Sequence, residues 1–326
     1  MTIKEISNSI FDDALAAGKK YNSVFFVGCG GSFAAQYPAY YFLAHESTTL
    51  SCAMYNSNEF VHATPKSCGE NSIVILCSMK GTAETCVAAQ VAKQRGATVI
   101  SFYVEESDMT RASDYTVKYT SIADDTKPID GTNGVGILAL ACDILHHAEG
   151  YVNYEKFQEG LVMLDGIYRH AKAILEPEAV RFGTECKDDS VIYVMGAGPC
   201  TGAAYIFSIC NLMEMQWIHS PTVNFAELVH GPFETVDPSL PIVCLVSTGR
   251  TRPVDMRAMK FLNTYGKRLY VLDADEIGVA SIDSSVAEYF APLVFSGLLQ
   301  NLYLHKIADT RNHPISTRRY MWKVAY

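Results

Sequence analysis

Two polar side chains in the second half of the sequence could exchange protons with a bound substrate. Glu214 interrupts an apolar stripe on the predicted helix of residues 203–217, and His230 immediately precedes a Gly-Pro turn. Burial raises the pKa of a carboxyl group and histidine titrates near neutrality, so this pair suits acid–base chemistry. The alternative is structural, with Glu214 paired to a basic neighbour and His230 ending a helix. Both interpretations stay open at this point.

A hydroxyl-rich turn follows the predicted strand of residues 73–77. Its sequence over residues 78–85 is SMKGTAET. Ser78, Thr82 and Thr85 supply hydroxyl groups and Lys80 a positive charge, beside the free N–H groups that open a helix. Capping of the helix would explain one hydroxyl but not three. We therefore predict a phosphate-binding loop here, with a purely structural helix cap as the alternative.

Glycine-rich turns follow a predicted strand in each half of the chain. Residues 24–32 read VFFVGCGGS and residues 191–199 read VIYVMGAGP. The glycine spacing departs from the dinucleotide-binding fingerprint, which argues against a nicotinamide cofactor. Such turns also need glycine for backbone reasons alone. Because the first turn lies at the carboxyl end of a strand, we predict that Gly30, Gly31 and Ser32 contact a ligand.

The elements that must position these residues are short apolar strands alternating with longer amphipathic helices. This alternation is typical of parallel sheets covered by helices. The predicted strands span residues 24–27, 73–77, 98–103, 115–119, 191–195, 242–246 and 268–272.

The same landmarks recur in the two halves. Glu59 and Glu227 lie at equal distances after Gly28 and Gly196, and a serine closes an apolar strand in each half. Matched landmarks indicate a duplicated α/β unit. We place the boundary near residue 150, which gives one domain over residues 1–150 and a second over residues 151–326.

Composition excludes several classes of function. The chain has 326 residues and a net charge of −9, a sign that argues against binding to nucleic acid or to an anionic membrane surface. No uncharged apolar run is long enough to span a bilayer, and no secretory signal is visible, so we expect a cytoplasmic protein. The ten cysteines form no CxxC motif, which favours free thiols over disulfides or a metal site.

With these motifs the chain resembles the sugar isomerase (SIS) domain family over nearly its whole length. Residues 28–32 and 78–85 resemble the sugar-phosphate loops of the isomerase half of glucosamine-6-phosphate synthases, and residues 212–214 and 227–232 resemble their catalytic segments. The resemblance implies an α/β fold of two tandem SIS domains. Each domain would be a mainly parallel sheet flanked by helices, as in a flavodoxin-like three-layer sandwich.

The same resemblance implies roles for the two polar side chains. Glu214 would move a proton between C1 and C2 of a sugar phosphate. His230 would open the sugar ring, supplied by the neighbouring subunit of a homodimer whose active site is shared between subunits. The family needs no cofactor and no metal for this chemistry.

Departures from the synthase pattern point to a different reaction. The phosphate loop has Met79 and Lys80 where the synthases have Gln-Ser, and the synthases' C-terminal catalytic lysine is absent near Ile315. Residues 311–321 instead resemble fructosamine-6-phosphate deglycases. The implied substrate is 6-phosphofructose-aspartate, cleaved through an enaminol and an imine to glucose 6-phosphate and aspartate. Arg318 and Arg319 are then candidate contacts to the aspartate part.

Three other functions stay open from the sequence. Two are enzymatic: a fructoselysine 6-phosphate deglycase, and an aldose–ketose or amino-sugar phosphate isomerase with the same Glu/His pair. The third is a sugar-phosphate sensor. A sensor would need a DNA-binding helix-turn-helix, for which the acidic chain has no spare segment, and it would leave Glu214 and His230 without a role.

Overall fold

The computed structural model describes residues 1–325, which form two compact units. The first is Met1–Leu161 and the second begins at Val162. The division lies beyond the boundary expected near residue 150. Gly150 ends one helix in a left-handed conformation, as expected of a helix end, but the next helix, Tyr154–Glu185, runs through the division without a break.

The first unit is built on a five-stranded parallel sheet with strand order β2-β1-β3-β4-β5. Its strands are β1 (Ser23–Gly28), β2 (Ser51–Asn56), β3 (Ser72–Cys77), β4 (Thr98–Tyr103) and β5 (Tyr115–Lys118). Its helices are α1 (Ile3–Ala16), α2 (Gly30–Glu46), α3 (Ser57–His62), α4 (Ala83–Gln94), α5 (Asp108–Ala112) and α6 (Asn133–Glu149), with a 3₁₀ turn at Ile129–Gly131 and the start of α7 (Tyr154–Glu185).

Helices cover both faces of this sheet. Strands β1 and β3 are buried along their whole length, which explains their uninterrupted apolar sequences. Helices α3, α4 and α5 enclose a core on one face, where Phe60, Ala88 and Met109 pack against Val27 and Leu76. Helices α1 and α2 pack against α6 on the other face.

The second unit repeats this plan with a four-stranded parallel sheet of order β7-β6-β8-β9. Its strands are β6 (Tyr193–Gly196), β7 (Thr222–Asn224), β8 (Pro241–Val246) and β9 (Arg268–Asp273). Its α-helices are α8 (Thr201–Ile206), α9 (Arg252–Tyr265), α10 (Ala291–Leu298) and α11 (Leu304–Thr310), and π-helices span Phe207–Met215 and Leu299–Tyr303. Short 3₁₀ helices lie at Gly198–Cys200, Phe225–His230, Pro232–Thr235, Gly249–Thr251, Val279–Ser281 and Ala287–Tyr289.

The two sheets confirm the predicted α/β fold and its internal repeat. Strand order β7-β6-β8-β9 matches β2-β1-β3-β4, and the landmarks Glu59 and Glu227 lie on short helices that follow equivalent edge strands. All seven predicted strands are present within a few residues of their predicted bounds. Strands β2 and β7 were not predicted. The first is only partly buried and the second has three residues, so neither has a strongly apolar pattern.

The structure bears on the cysteines and on the apolar segments of the chain. All ten cysteines are free thiols, as expected, and six of them are buried. Within residues 1–325, no helix is both long enough and apolar enough to cross a bilayer.

Candidate functional site

The predicted ligand loops of the first unit lie at one edge of its sheet. Strands β1 and β3 are hydrogen-bonded neighbours and parallel, so the turn at Gly30, Gly31 and Ser32 and the loop that starts at Ser78 leave the sheet side by side. In doubly wound sheets of this order, ligands bind where β1 and β3 diverge to opposite faces. Gly30 has φ +53°, a conformation that favours glycine. The fold therefore brings both loops to the expected binding edge.

The hydroxyl-rich loop is shaped by its first serine. Ser78 is buried, and its Oγ accepts hydrogen bonds from the backbone N–H groups of Gly81 and Thr82, each at 3.1 Å. Gly81 has φ +68°, and a Cβ at this position would lie 2.2 Å from Ser107 Oγ. The loop thus turns tightly around Ser78 and leads directly into the start of α4.

A chain of polar contacts connects this loop to the other loops at the same edge. Thr82 Oγ1 lies 2.9 Å from Thr85 Oγ1, and buried Thr85 lies 2.7 Å from Ser57 Oγ. The backbone N–H of Ser57 in turn donates to Cys29 Sγ at 3.4 Å. Sequence reasoning missed Ser57 because the strand before it was not recognised. Buried Thr85 therefore connects Thr82 to Ser57, whereas Thr82 is exposed to solvent.

Lys80 is oriented differently from the hydroxyl groups. Its Nζ lies 2.8 Å from Glu105 Oε1, and both side chains are more than half exposed. Such surface ion pairs contribute little to stability, so the pair can open at small cost when another anion competes. In this structure Lys80 is a peripheral cation of the loop.

Glu214 lies on a π-helix rather than on the regular α-helix predicted for residues 203–217. Helix α8 changes to π geometry at Phe207 and keeps it to Met215. The wider turn alters which side chains share a face, so the predicted apolar stripe is not continuous and Glu214 is only half-buried. Asn211 on this π-helix donates to Gln300 on the second π-helix at 2.7 Å, a buried bond that joins the two irregular segments. π-Turns of this kind are frequent at functional sites.

The carboxylate of Glu214 is paired with a cation from the C-terminal segment. Arg318 Nη2 lies 2.7 Å from Glu214 Oε1, and the Arg318 side chain is 8% exposed. Burial raises the pKa of Glu214 above its ordinary value, and the neighbouring Arg318 opposes that rise. A carboxylate in this state can accept a proton more readily than an exposed one. Glu214 is thus paired with a basic neighbour, as the structural alternative expected, and it also has the raised pKa that suits a base.

A cavity of about 360 Å³ opens beside this ion pair. Glu214 is the one carboxylate among the residues of the described chain that line it, and two arginines line it with it. Arg319 is exposed, and its guanidinium lies 3.9 Å from the centroid of the Trp217 ring. The polar and aromatic lining consists of Glu214, Trp217, His219, Arg318, Arg319 and Tyr320.

His230 lies elsewhere in the second unit. It ends the 3₁₀ helix Phe225–His230, its side chain is exposed, and it is not among the residues that line the cavity. The following Gly231 has φ +138°, and Pro232 starts the next 3₁₀ turn. Within one chain the second unit therefore does not bring His230 into the cavity that holds Glu214.

The second unit has its own edge between β6 and β8, but a carboxylate occupies it. Asp255 is fully buried, and its Oδ2 accepts from the backbone N–H of Ser247 at 2.8 Å and from the Ser247 hydroxyl. Burial raises the pKa of Asp255 to about 6. Gly198 repeats the φ of Gly30, yet a Cβ there would lie 2.5 Å from Thr251 Oγ1. Side chains of the second unit therefore lie close against its own glycine turn.

Within residues 1–325, no group of three His, Cys, Asp or Glu side chains is placed so that it could hold a metal ion.

A family model and two curated relatives match this chain, and they agree on the kind of protein it resembles. A SIS domain model matches residues 19–130. The chain is 41% identical to fructosamine deglycase FrlB of Bacillus subtilis (strain 168), over 95% of this chain and 94% of that protein. It is 24% identical to fructoselysine 6-phosphate deglycase of Escherichia coli (strain K12), over 91% of this chain and 84% of the relative.

A solved structure has the same fold throughout. A protein from Salmonella typhimurium LT2, described as a phosphosugar isomerase, superimposes with a TM-score of 0.94. The sequences are 41% identical, and the match covers 99% of each chain.

Proposed function

Because the chain belongs to the SIS-domain family of fructosamine deglycases and is a sugar-phosphate deglycase, we propose that its substrate is 6-phosphofructose-aspartate. The products are glucose 6-phosphate and aspartate, released with the consumption of one water molecule. The cavity beside Glu214 carries this proposal. Two arginines and a single carboxylate line it, and that carboxylate is already paired with Arg318. An aspartate part brings two carboxylates to these arginines, whereas a lysine part brings one carboxylate and an ammonium group that the arginines repel.

Glu214 is proposed as the group that moves the proton. In the open-chain ketoamine, its carboxylate removes a proton from C1 and an enaminol forms. The same proton returns at C2, which leaves an imine between C1 and the amino-acid nitrogen. Water adds to C1, and the amine departs to give the aldose phosphate. The raised pKa of Glu214 supports a side chain that holds a proton between these two steps.

His230 is proposed to open the furanose ring and to act from the neighbouring subunit of a homodimer. Its exposed side chain and its absence from the cavity lining support an action outside its own chain. Histidine titrates near neutrality and suits transfer of a proton to or from a ring oxygen. We also propose a cytoplasmic location, for which ten free thiols are the expected state.

The loops of the first unit are proposed to bind the 6-phosphate. Ser78 and Thr82 offer hydroxyl groups, and Gly30 and Gly31 offer backbone N–H groups, all at one edge of the sheet. Ser32 lies in the same turn, and its N–H donates to the carbonyl of Cys29. Thr85 supports the hydroxyl groups through Ser57. Lys80 adds a positive charge once its surface pair with Glu105 opens.

Coupled detection of glucose 6-phosphate tests this function. Purified protein is assayed with 6-phosphofructose-aspartate and 6-phosphofructose-lysine, beside Glu214→Gln and, as a matched control, the exposed Glu234→Gln. We expect release from the aspartate compound by the wild type and by the control, and loss of release in Glu214→Gln. Preference for the lysine compound, the reaction named for the E. coli relative, would overturn the proposed substrate. Interconversion of sugar phosphates without amine release would favour an isomerase.

A further inference from the structure

We propose that Arg319, stacked on Trp217, selects substrates whose amino-acid part carries a side-chain carboxylate. The inference rests on the proposed deglycase function and names the residue that binds the side chain of the amino-acid part. It concerns the binding of one part of the substrate and is independent of the proton transfer at Glu214.

Arg319 differs from its neighbour Arg318 in what it contacts. Arg318 is buried, pairs with Glu214, and donates to the carbonyl groups of Ile315 and Thr317 at 2.7 and 2.9 Å. Arg319 is exposed and, within residues 1–325, forms no ion pair and no hydrogen bond. Its contact is the face of Trp217, at 3.9 Å from the ring centroid. A guanidinium stacked on an indole keeps its charge and its planar set of N–H donors available to a carboxylate.

Trp217 forms a rigid platform for this cation. Its backbone has φ +58°, a left-handed conformation that is unfavourable for a non-glycine residue and that the surrounding hydrogen bonds must hold. The next residue, Ile218, donates its N–H to the carbonyl of Leu212 at 3.0 Å. The rings of His313 and Trp217 form a T-shaped pair, with ring centroids 4.6 Å apart and an angle of 76° between the planes.

The C-terminal segment contacts the region around Trp217 at residues that precede Arg319 in the chain. Gln216 Nε2 donates to the carbonyl of His313 at 3.1 Å. Arg318 then joins Glu214, and Lys323 donates to the carbonyl of Arg318 at 2.6 Å. Arg319 lies between these attachments, so its backbone is held at the rim of the cavity while its side chain lies on Trp217.

The charges around the cavity leave one cation uncompensated. The opposite charges of Glu214 and Arg318 balance each other, and the charge of Arg319 has no partner among the lining residues. One carboxylate from a ligand would complete the balance, with two N–H groups donating to its two oxygens. The α-carboxylate is common to the aspartate and asparagine compounds, so they differ only in the side-chain group, a carboxylate in one and a neutral amide in the other. The geometry therefore favours an aspartate part over its asparagine isostere.

Specificity constants for a matched pair of substrates test this inference. The substrates are 6-phosphofructose-aspartate and 6-phosphofructose-asparagine, which differ in one charge. The variants of the full chain are Arg319→Gln, Arg319→Lys and Trp217→Phe, with Arg257→Gln as an exposed arginine outside the cavity. Thermal unfolding of each variant is measured in parallel.

We expect Arg319→Gln to lower kcat/KM for the aspartate compound by about 10- to 100-fold and to leave the asparagine compound within about twofold. Arg319→Lys should recover part of the loss, and Arg257→Gln should match the wild type. Equal losses on both substrates, or no loss on either, would overturn the role of Arg319. If the wild type releases glucose 6-phosphate from neither compound, the proposed function fails. Calorimetric affinities of the same two compounds for wild type and Arg319→Gln then decide the role of Arg319 separately.

Discussion

Arg318 Nη2 lies 2.7 Å from Glu214 Oε1, so the C-terminal segment supplies the charge that faces the proposed base. The two residues are distant in sequence, and the pair forms only when the segment after α11 folds onto the π-helix. The ionisation of Glu214 thus depends on the docking of that segment. Burial alone would leave the carboxyl group with a higher pKa.

The low-pH side, or acid limb, of the profile of kcat/KM against pH should depend on the ion pair between Glu214 and Arg318. Since the pKa of Glu214 lies above 4.5, kcat/KM should fall as the pH decreases through that raised pKa and the base becomes protonated. Arg318→Met removes the charge that lowers this pKa, so the limb should move to higher pH. The measurement is kcat/KM against pH for wild type, Arg318→Met and Arg318→Lys. A limb that stays in place in Arg318→Met would show that the pair does not control the base.

Complementation between subunits should reveal where His230 acts. Glu214→Gln and His230→Asn should each lose about 10²–10⁴-fold in turnover, and His230→Asn should still bind substrate. If His230 acts across the dimer, a mixed dimer of the two variants has one intact pair. Equal mixing should then restore about one quarter of the wild-type activity. Mixed dimers, demonstrated by a tag on one variant, that stay inactive would contradict the shared site.

Two glycines with similar backbones should respond differently to alanine. Gly81 and Gly18 have φ +68° and +63°, but a Cβ at Gly81 would meet Ser107 Oγ at 2.2 Å, and one at Gly18 would meet nothing within 4 Å. Gly18→Ala should cost about 1 kcal/mol through backbone strain. Gly81→Ala should cost about 2–4 kcal/mol, because Ser107 must also move.

The same pair of variants tests the phosphate loop. Gly81→Ala should weaken binding of glucose 6-phosphate, because it displaces Ser78 and Thr82, whose hydroxyl groups we propose contact the phosphate, whereas Gly18→Ala should not. Urea unfolding and isothermal calorimetry give the two quantities. Equal affinities in both variants would argue against a phosphate at this loop.

Asp255 should make stability fall as the pH rises. Its pKa is about 6 in the folded protein against 3.8 ordinarily, so the folded state holds the extra proton between these values. Unfolding free energy should therefore decrease by about 3 kcal/mol from this group as the pH rises from about 3.8 to about 6. Asp255→Asn should remove this pH dependence. The unfolding free energy of the variant relative to that of the wild type should therefore increase as the pH rises from about 3.8 to about 6.

Urea unfolding at pH 4 and pH 7 measures the effect of Asp255. Asp237→Asn provides a control of opposite sign. Hydrogen bonds from Ser239 lower the pKa of exposed Asp237, so its contribution is present at neutral pH and is lost on acidification. A difference between wild type and Asp255→Asn that is the same at both pH values would contradict the assignment.

The fold could be predicted largely from local sequence patterns. Strands β1, β3 and β8 are buried on both faces and therefore appear as continuous apolar runs, and the glycines after β1 and β6 mark the turns. Strand β2 was not recognisable because it is an edge strand that is only partly buried. Without this strand, the sequence does not place Ser57 beside Thr85, because Ser57 directly follows β2.

The site was predictable in part for the same reason. Glu214 and the hydroxyl groups of the phosphate loop stand out by residue type and spacing. The pairing of Arg318 with Glu214 is a long-range contact, and no local pattern indicates it. The π-helix was also missed, because the sequence of residues 207–215 has the apolar spacing of an ordinary helix. Buried Asp255 was missed because nothing local distinguishes it from an exposed aspartate.

The π-helix has an evolutionary consequence. Each residue of an α-helix rotates the next by about 100°, so a π-turn can arise from the insertion of one residue and vanish with its deletion. A one-residue deletion between Phe207 and Leu212 would therefore replace the wider turn by α geometry and change which side chains share a face with Glu214. Point substitutions keep the π geometry, whereas a change in length removes it. Along a lineage, residues 207–215 should consequently accept changes of side chain far more readily than changes of length.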